Sequence, residues 1–158
     1  LWTQDIPEFA GEFYQYAGLR FSPKPMQKPY PPILIGGSSP AARKRVARFG
    51  DGWHTLRQSP SQFADGRADI IAQTKAAGRD LAKLLFSIAL PIRFSGEAPS
   101  APVQGRTALT GTDDDIADTI RAYREAGADE IVMGVSSADM AENTDAMEHF
   151  MQRVRPAV

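Results

Sequence analysis

The chain has 158 residues, 42% of them hydrophobic and 23% charged, with a formal net charge of −1. That is enough chain for one domain with a real core, and the charge balance argues against a general nucleic-acid or membrane-surface role, both of which want a clustered basic excess. The absence of cysteine removes disulfides, thiol nucleophiles and Cys-ligated metals, and two histidines far apart in sequence leave little for a metal cluster.

Residues 1–30 read as an irregular lead-in. Aromatic residues flank Ala17-Gly18 within Gly11–Phe21, which predicts a small hairpin. Pro23, Pro25, Pro29, Pro31 and Pro32 then force extended chain. The chain starts at Leu1 with no Met and no leading strand, and the expectation is a piece of a longer chain.

From Pro31 the sequence predicts four strand-then-helix units. The first strand, Pro32 to Gly36, is an unalternating apolar run of the kind buried on both faces. Its helix runs from about Pro40 to Phe49. The second unit pairs a strand at Gly52–Leu56 with a helix at about Pro60–Ala77. The third strand is Leu85–Phe94, followed by a loop rich in Gly, Pro, Ala and Ser over Ser95–Gly111 and a helix at about Asp113–Ala126. The fourth strand is Glu130–Gly134, and the last helix about Thr144–Val154. Ile116, Ile120 and Tyr123 fall at i, i+4, i+7, and Met147, Phe150, Met151 and Val154 at i, i+3, i+4, i+7. Alternating strands and helices predict a parallel α/β sheet with outer helices. A small doubly wound sheet and part of a (β/α)8 barrel compete. A whole barrel needs roughly 250 residues and eight units, so this chain would be half of one. A strand order with a reversal would favour the doubly wound sheet.

The helix starts differ. Ser59-Pro60-Ser61-Gln62 is a capping box with proline at the first helical position. Thr112 is followed by Asp113, Asp114 and Asp115, which answer the positive helix end internally. Ser39-Pro40-Ala41-Ala42 has cap and proline but no acid, Arg43 follows, and Gly36-Gly37 precede it. That start is read as the one left open for an external anion such as phosphate, with glycines that allow close approach to the backbone. Equally, Ser39 caps a helix and the glycines turn the chain. The segment lacks the GK[ST] of nucleotide hydrolases and the G-x-G-x-x-G spacing of dinucleotide sites. No paired catalytic carboxylates and no Ser-His-Asp set can be built.

Three segments in order, GEFYQYAGLRFSPKPMQKP, PPILIGGSSPAARKRVARFGDGW and GTDDDIADTIRAYREAGADEIVM, resemble the luciferase-like flavin and deazaflavin oxidoreductases. They are similar to the insertion before the fifth barrel strand, the segment after it, and the last helix and eighth strand. The resemblance implies the C-terminal half, strands five to eight, of a (β/α)8 TIM-type barrel over residues 31–158. It also implies a coenzyme, F420 or alternatively FMN, whose phosphate end meets Gly36, Gly37, Ser38, Ser39, Ala41 and Ala42. The tone of the sequence is nearest the F420-dependent branch. The family's first four strands carry its catalytic residues, so the parent protein is expected to be a hydride-transferring oxidoreductase or monooxygenase acting on a small molecule, and the isolated chain inactive.

Further readings stand beside these. Asp51 is taken as a turn-tying residue. Trp53, Arg93 and Arg106 are candidates for contact with substrate or the coenzyme's tail, although two exposed arginines account for the last two as well. His54 and His149 read as structural, and Arg43, Lys44, Arg45 and Arg48 as a solvated helix face without a stacking platform. The alternative to an oxidoreductase is a non-catalytic module that self-associates through bare half-barrel edges. No metal, membrane or nucleic-acid partner is expected, and a cytoplasmic location is.

Overall fold

The computed structural model describes residues 1–82, 84–135 and 137–158. The chain divides into two compact units, 1–33 and 34–158.

The first unit holds a short antiparallel pair, β1 (Phe9–Ala10) and β2 (Gln15–Tyr16). Phe9 lies opposite Tyr16, and their rings stack with centroids 5.9 Å apart. The reversal falls at Gly11–Tyr14, where the Gly11 N–H donates to the Tyr14 carbonyl at 2.9 Å. The hairpin expected around Ala17-Gly18 is therefore displaced. The cross-strand aromatic pair sets the register, and it needs its turn before Gln15.

In the second unit, β3 (Leu34–Gly36), β4 (Gly52–Leu56), β5 (Leu85–Phe94), β6 (Leu109–Gly111) and β7 (Glu130–Val135) form one parallel sheet. The helices are α1 (Pro40–Phe49), α2 (Pro60–Ala76), α3 (Asp113–Glu125) and α4 (Met140–His149). Ile88 pairs with Thr55 on one side and Ile131 on the other, and Ile92 with Leu109 and Val135. So β4 and β6 take turns along one edge of β5 while β7 runs along the other. The main path β3-β4-β5-β7 follows sequence order with no reversal. That favours the barrel reading: four βα units in the arrangement of half a (β/α)8 barrel.

Several boundaries differ from the sequence reading for physical reasons. The first strand begins at Leu34, because Pro31 and Pro32 have no N–H to give the ladder. The 95–111 loop contains a 3-10 turn at Val103–Gly105 and ends in β6. β5 is twice the length of β4, and β6 pairs with the stretch of that edge beyond the end of β4. The last helix starts at Met140, four residues early, because Asp139 caps it by accepting from the Ala141 N–H at 2.8 Å. It continues past His149 as a π-helical turn, Phe150–Val154.

The core lies on one face of the sheet. Trp53, Phe86, Ile88, Leu90 and Ile92 point to the helices and pack with Val46, Phe63, Ile70, Leu109, Ile116, Tyr123 and Val154. Trp53 stacks on Phe63 at 5.1 Å, and Phe63 meets Tyr123 edge-on. The alternate residues of the same strands form the other face. There Leu56 is 64% and Val132 44% exposed. That bare face is the inner wall of the half-barrel, and with it comes the carboxyl end of β3, where the loop to α1 begins.

Candidate functional site

The loop from Gly36 to Ala42 joins the carboxyl end of β3 to α1. Gly37 has φ +105°, a region that side-chain-bearing residues rarely enter. A Cβ there would also lie 3.3 Å from the Ala42 Cβ. The turn is held from β4: the Gly37 N–H donates to the His54 carbonyl at 3.2 Å, and the Trp53 Nε1–H donates to the Gly37 carbonyl at 2.6 Å. Trp53 itself is fully buried, so its ring clamps this glycine from inside the helix layer.

Beyond the clamp, α1 opens with Ser39 as cap, whose Oγ accepts from the Ala42 N–H at 3.2 Å, and Pro40 at the first position. Residues 36–41 are exposed, whereas Ala42 is buried. Of the six positions expected to face a phosphate, Gly37 and Ala42 thus already spend their N–H groups inside the protein. The amides of Ser38, Ser39 and Ala41 have no hydrogen-bond partner among the described residues, and the Ser38 and Ser39 hydroxyls lie on the same surface. Arg43 adds positive charge: its Nη1 donates to the Ser38 carbonyl at 2.8 Å and its Nε pairs with Asp69 at 2.5 Å. Asp69 is held below its ordinary value, first by the Gln73 side-chain hydrogen bond and then by Arg43.

The lack of acid does not by itself set α1 apart. α2, like α1, has no acid in its first turn. What separates them is that Gln62 of α2 returns to the Ser59 N–H at 3.0 Å and closes a capping box. α3 closes one with Thr112 and Asp115. α1 has a one-way cap and leaves its other amides open.

Trp53 and Arg106, read from sequence as possible contacts to substrate or tail, are not free to make them. Trp53 shows no surface. The Arg106 guanidinium, 10% exposed, donates to the carbonyls of Ala101 and Asp115, the Thr119 hydroxyl and the Asp115 carboxylate. It ties the 95–111 loop to α3. Sequence could not show this, because two of the four acceptors are backbone oxygens and the other two lie on α3, outside the loop. Arg93 is exposed, and its guanidinium has no hydrogen bond or ion pair among the described residues. The Asp51 carbonyl accepts from the Leu85 N–H at 3.0 Å, bridging the start of β4 to β5. His149 bonds Asp113 at 2.6 Å through Nε2.

A row on the inner face was not read from sequence as a unit. His54, Ser87 and Glu130 sit side by side on β4, β5 and β7 and are hydrogen-bonded to one another. Their separations in sequence, 33 and 43 residues, leave no motif; only the strand register joins them. Among the described residues there is no metal-binding cluster of His, Asp or Glu, and no helix is long and apolar enough to cross a membrane.

The model of luciferase-like monooxygenases matches residues 1–98. An FMNH2-dependent dimethylsulfone monooxygenase of Pseudomonas putida is 40% identical over 78 residues, which are 49% of this chain and 22% of that protein. Among solved structures, an F420-dependent secondary alcohol dehydrogenase superposes with a TM-score of 0.78 at 19% identity, covering 100% of this chain and 58% of that one. A monooxygenase from Streptomyces bottropensis gives 0.76 at 19% identity, covering 98% and 56%. The chain thus spans a little over half the length of these structures and matches a smaller share of the curated relative.

Proposed function

The chain belongs to the luciferase-like monooxygenase family, and from that membership and the geometry at α1 we propose that it supplies the phosphate-binding loop of a flavin- or deazaflavin-dependent oxidoreductase. The observation that carries this is the exposed α1 start, with the Ser38, Ser39 and Ala41 amides open beside a glycine turn clamped by Trp53. Three N–H donors, two hydroxyls and the positive end of a ten-residue helix fit an anionic oxygen cluster. The Arg43 guanidinium, already neutralised in part by Asp69, adds longer-range attraction.

FMN and coenzyme F420 share this feature, a phosphate carried on a flexible arm of a tricyclic ring. The curated relative is FMNH2-dependent and the alcohol dehydrogenase F420-dependent. Both coenzymes therefore belong in the assay. When bound, the coenzyme supplies the redox chemistry of the reaction on a small organic substrate. The chain's own residues hold its phosphate end.

Titration of the protein with FMN and with F420, followed by fluorescence, tests the loop. Gly37→Asp places a carboxylate and a strained side chain in the cradle. At least a tenfold loss of affinity for the preferred coenzyme is expected, with circular dichroism unchanged. Equal affinity in the variant would sink the assignment.

A second reading, self-association, is favoured by the inner face itself. Leu56, Val132 and the half-buried Ala89 and Pro91 form an open apolar concavity, and β3 and β7 each have one edge unpaired among the described residues. A second copy placed by a two-fold along the barrel axis would bring each β7 beside the other's β3 in the parallel sense both need.

A further inference from the structure

The inner face carries a hydrogen-bonded row that phosphate binding does not use. His54, Ser87 and Glu130 are register neighbours across β4, β5 and β7. The Ser87 hydroxyl, fully buried, donates to Glu130 Oε2 at 2.8 Å. His54 Nδ1 lies 3.0 Å from the same Ser87 oxygen.

Counting protons fixes the direction of the row. A serine hydroxyl has one proton and a carboxylate only accepts. Ser87 gives its proton to Glu130, so its oxygen can only accept from His54, and Nδ1 carries the ring proton. In the neutral ring Nε2 is then an acceptor. It has no hydrogen-bond partner among the described residues. On the side away from Ser87 the register neighbour is Gly36. A Cβ built there would meet no side-chain atom within 4 Å, and His54 itself is only half-buried. The same His54 accepts the Gly37 N–H on its carbonyl. One residue therefore braces the loop with its backbone and carries its ring at the strand position paired with the loop's first glycine.

We propose that His54 is a second contact for the ligand held at α1, its Nε2 accepting a hydrogen bond from an O–H or N–H of that ligand, with Ser87 and Glu130 as positioning residues that fix the tautomer. The proposal rests on the loop reading for where the phosphate sits. The ligand it describes is a phosphate ester that carries a hydroxyl or ring N–H within reach of the inner face. An imidazole with one nitrogen tied by an oriented acceptor and the other open is the pattern by which proteins present a nitrogen of defined polarity.

FMN, riboflavin and inorganic phosphate serve as probes on the wild-type protein, His54→Phe, Ser87→Ala and Gly37→Asp. His54→Phe and Ser87→Ala are expected to weaken FMN and riboflavin by the same factor, about three- to tenfold, and to leave inorganic phosphate unaffected. Long-range 1H–15N spectra are expected to show the Nδ1–H tautomer in the wild type and a gain of Nε2–H in Ser87→Ala, a change that a purely structural role for His54 binding would not link to affinity. Failure of the loop reading looks different: FMN and riboflavin then bind equally and Gly37→Asp is harmless, while the His54 effects remain. Unchanged FMN and riboflavin affinity in Ser87→Ala, a wild-type His54 protonated at Nε2, or a protein that binds neither probe would overturn the proposal.

Discussion

Gly66 shows how little freedom the residues under the loop have. It lies inside α2, where glycine costs about 1 kcal/mol relative to alanine, so Gly66→Ala ought to stabilise the helix. A Cβ at that position would lie 2.6 Å from the Trp53 ring, and that ring is pinned between Phe63 and the Gly37 carbonyl. Overpacking of this kind costs about 1–3 kcal/mol and outweighs the propensity gain. Gly66→Ala is expected to lower the urea midpoint and to weaken the Gly37 clamp with it; a raised midpoint would show that Trp53 can move aside. Sequence placed Gly36, Gly37, Ser38 and Ser39 at the strand-helix junction through their residue types alone. It could not tell which amides were spent, because the acceptors are the carbonyl of His54 and the hydroxyl of Ser39, and it read Trp53 as a contact for substrate or tail when strand alternation turns it into the core.

At the scale of elements, α3 is the best-tied helix, and its ties are acidic. Asp115 is held below the ordinary carboxylate value by hydrogen bonds from the Thr112 hydroxyl and N–H and by Arg106. Asp113 is held below it by the hydrogen bond from His149, with Arg153 adding to the effect. A carboxyl whose value is lower when folded binds fewer protons in the folded state. Its stabilisation is therefore present above about pH 4 and is lost as pH falls through the ordinary value toward the lowered one. Acid unfolding between pH 5 and 2.5 is expected to be less steep in Asp113→Asn and Asp115→Asn than in the wild type, and identical acid limbs would contradict these ties. Elements with strong periodic signals were legible: α1, β4 and β5 match their expected bounds. α4 was read four residues short, because its first turn is polar and only the Asp139 cap marks it. β6 was missed because three residues in a Gly/Pro-rich loop become a strand only when the uncovered edge of β5 is there to receive them.

For the whole molecule, the decisive feature is that the sheet has a core on one side only. Four βα units give parallel strands in sequence order, and the inner wall they form carries exposed Leu56 and Val132. Burying such apolar area at about 25 cal/mol per Å² is a strong drive to find a partner surface. Sedimentation at micromolar concentration is expected to show association that Leu56→Lys combined with Val132→Lys suppresses, and a monomer at all concentrations would remove the self-association reading. The order of the units and their number were legible from the alternation of apolar strands and amphipathic helices. Bare edges were expected from that count, but the His54–Ser87–Glu130 row on the inner wall exists only through register.

Backbone amide spectra during an FMN titration show whether the start of α1 holds the phosphate of the coenzyme. The Ser38, Ser39 and Ala41 resonances are expected to move first and furthest, while those of Ser61 in α2 and Asp114 in α3, at helix starts closed by capping boxes, stay in place. Binding of FMN with the Ser38, Ser39 and Ala41 amides unmoved, or with the largest shifts at α2 or α3, would contradict it.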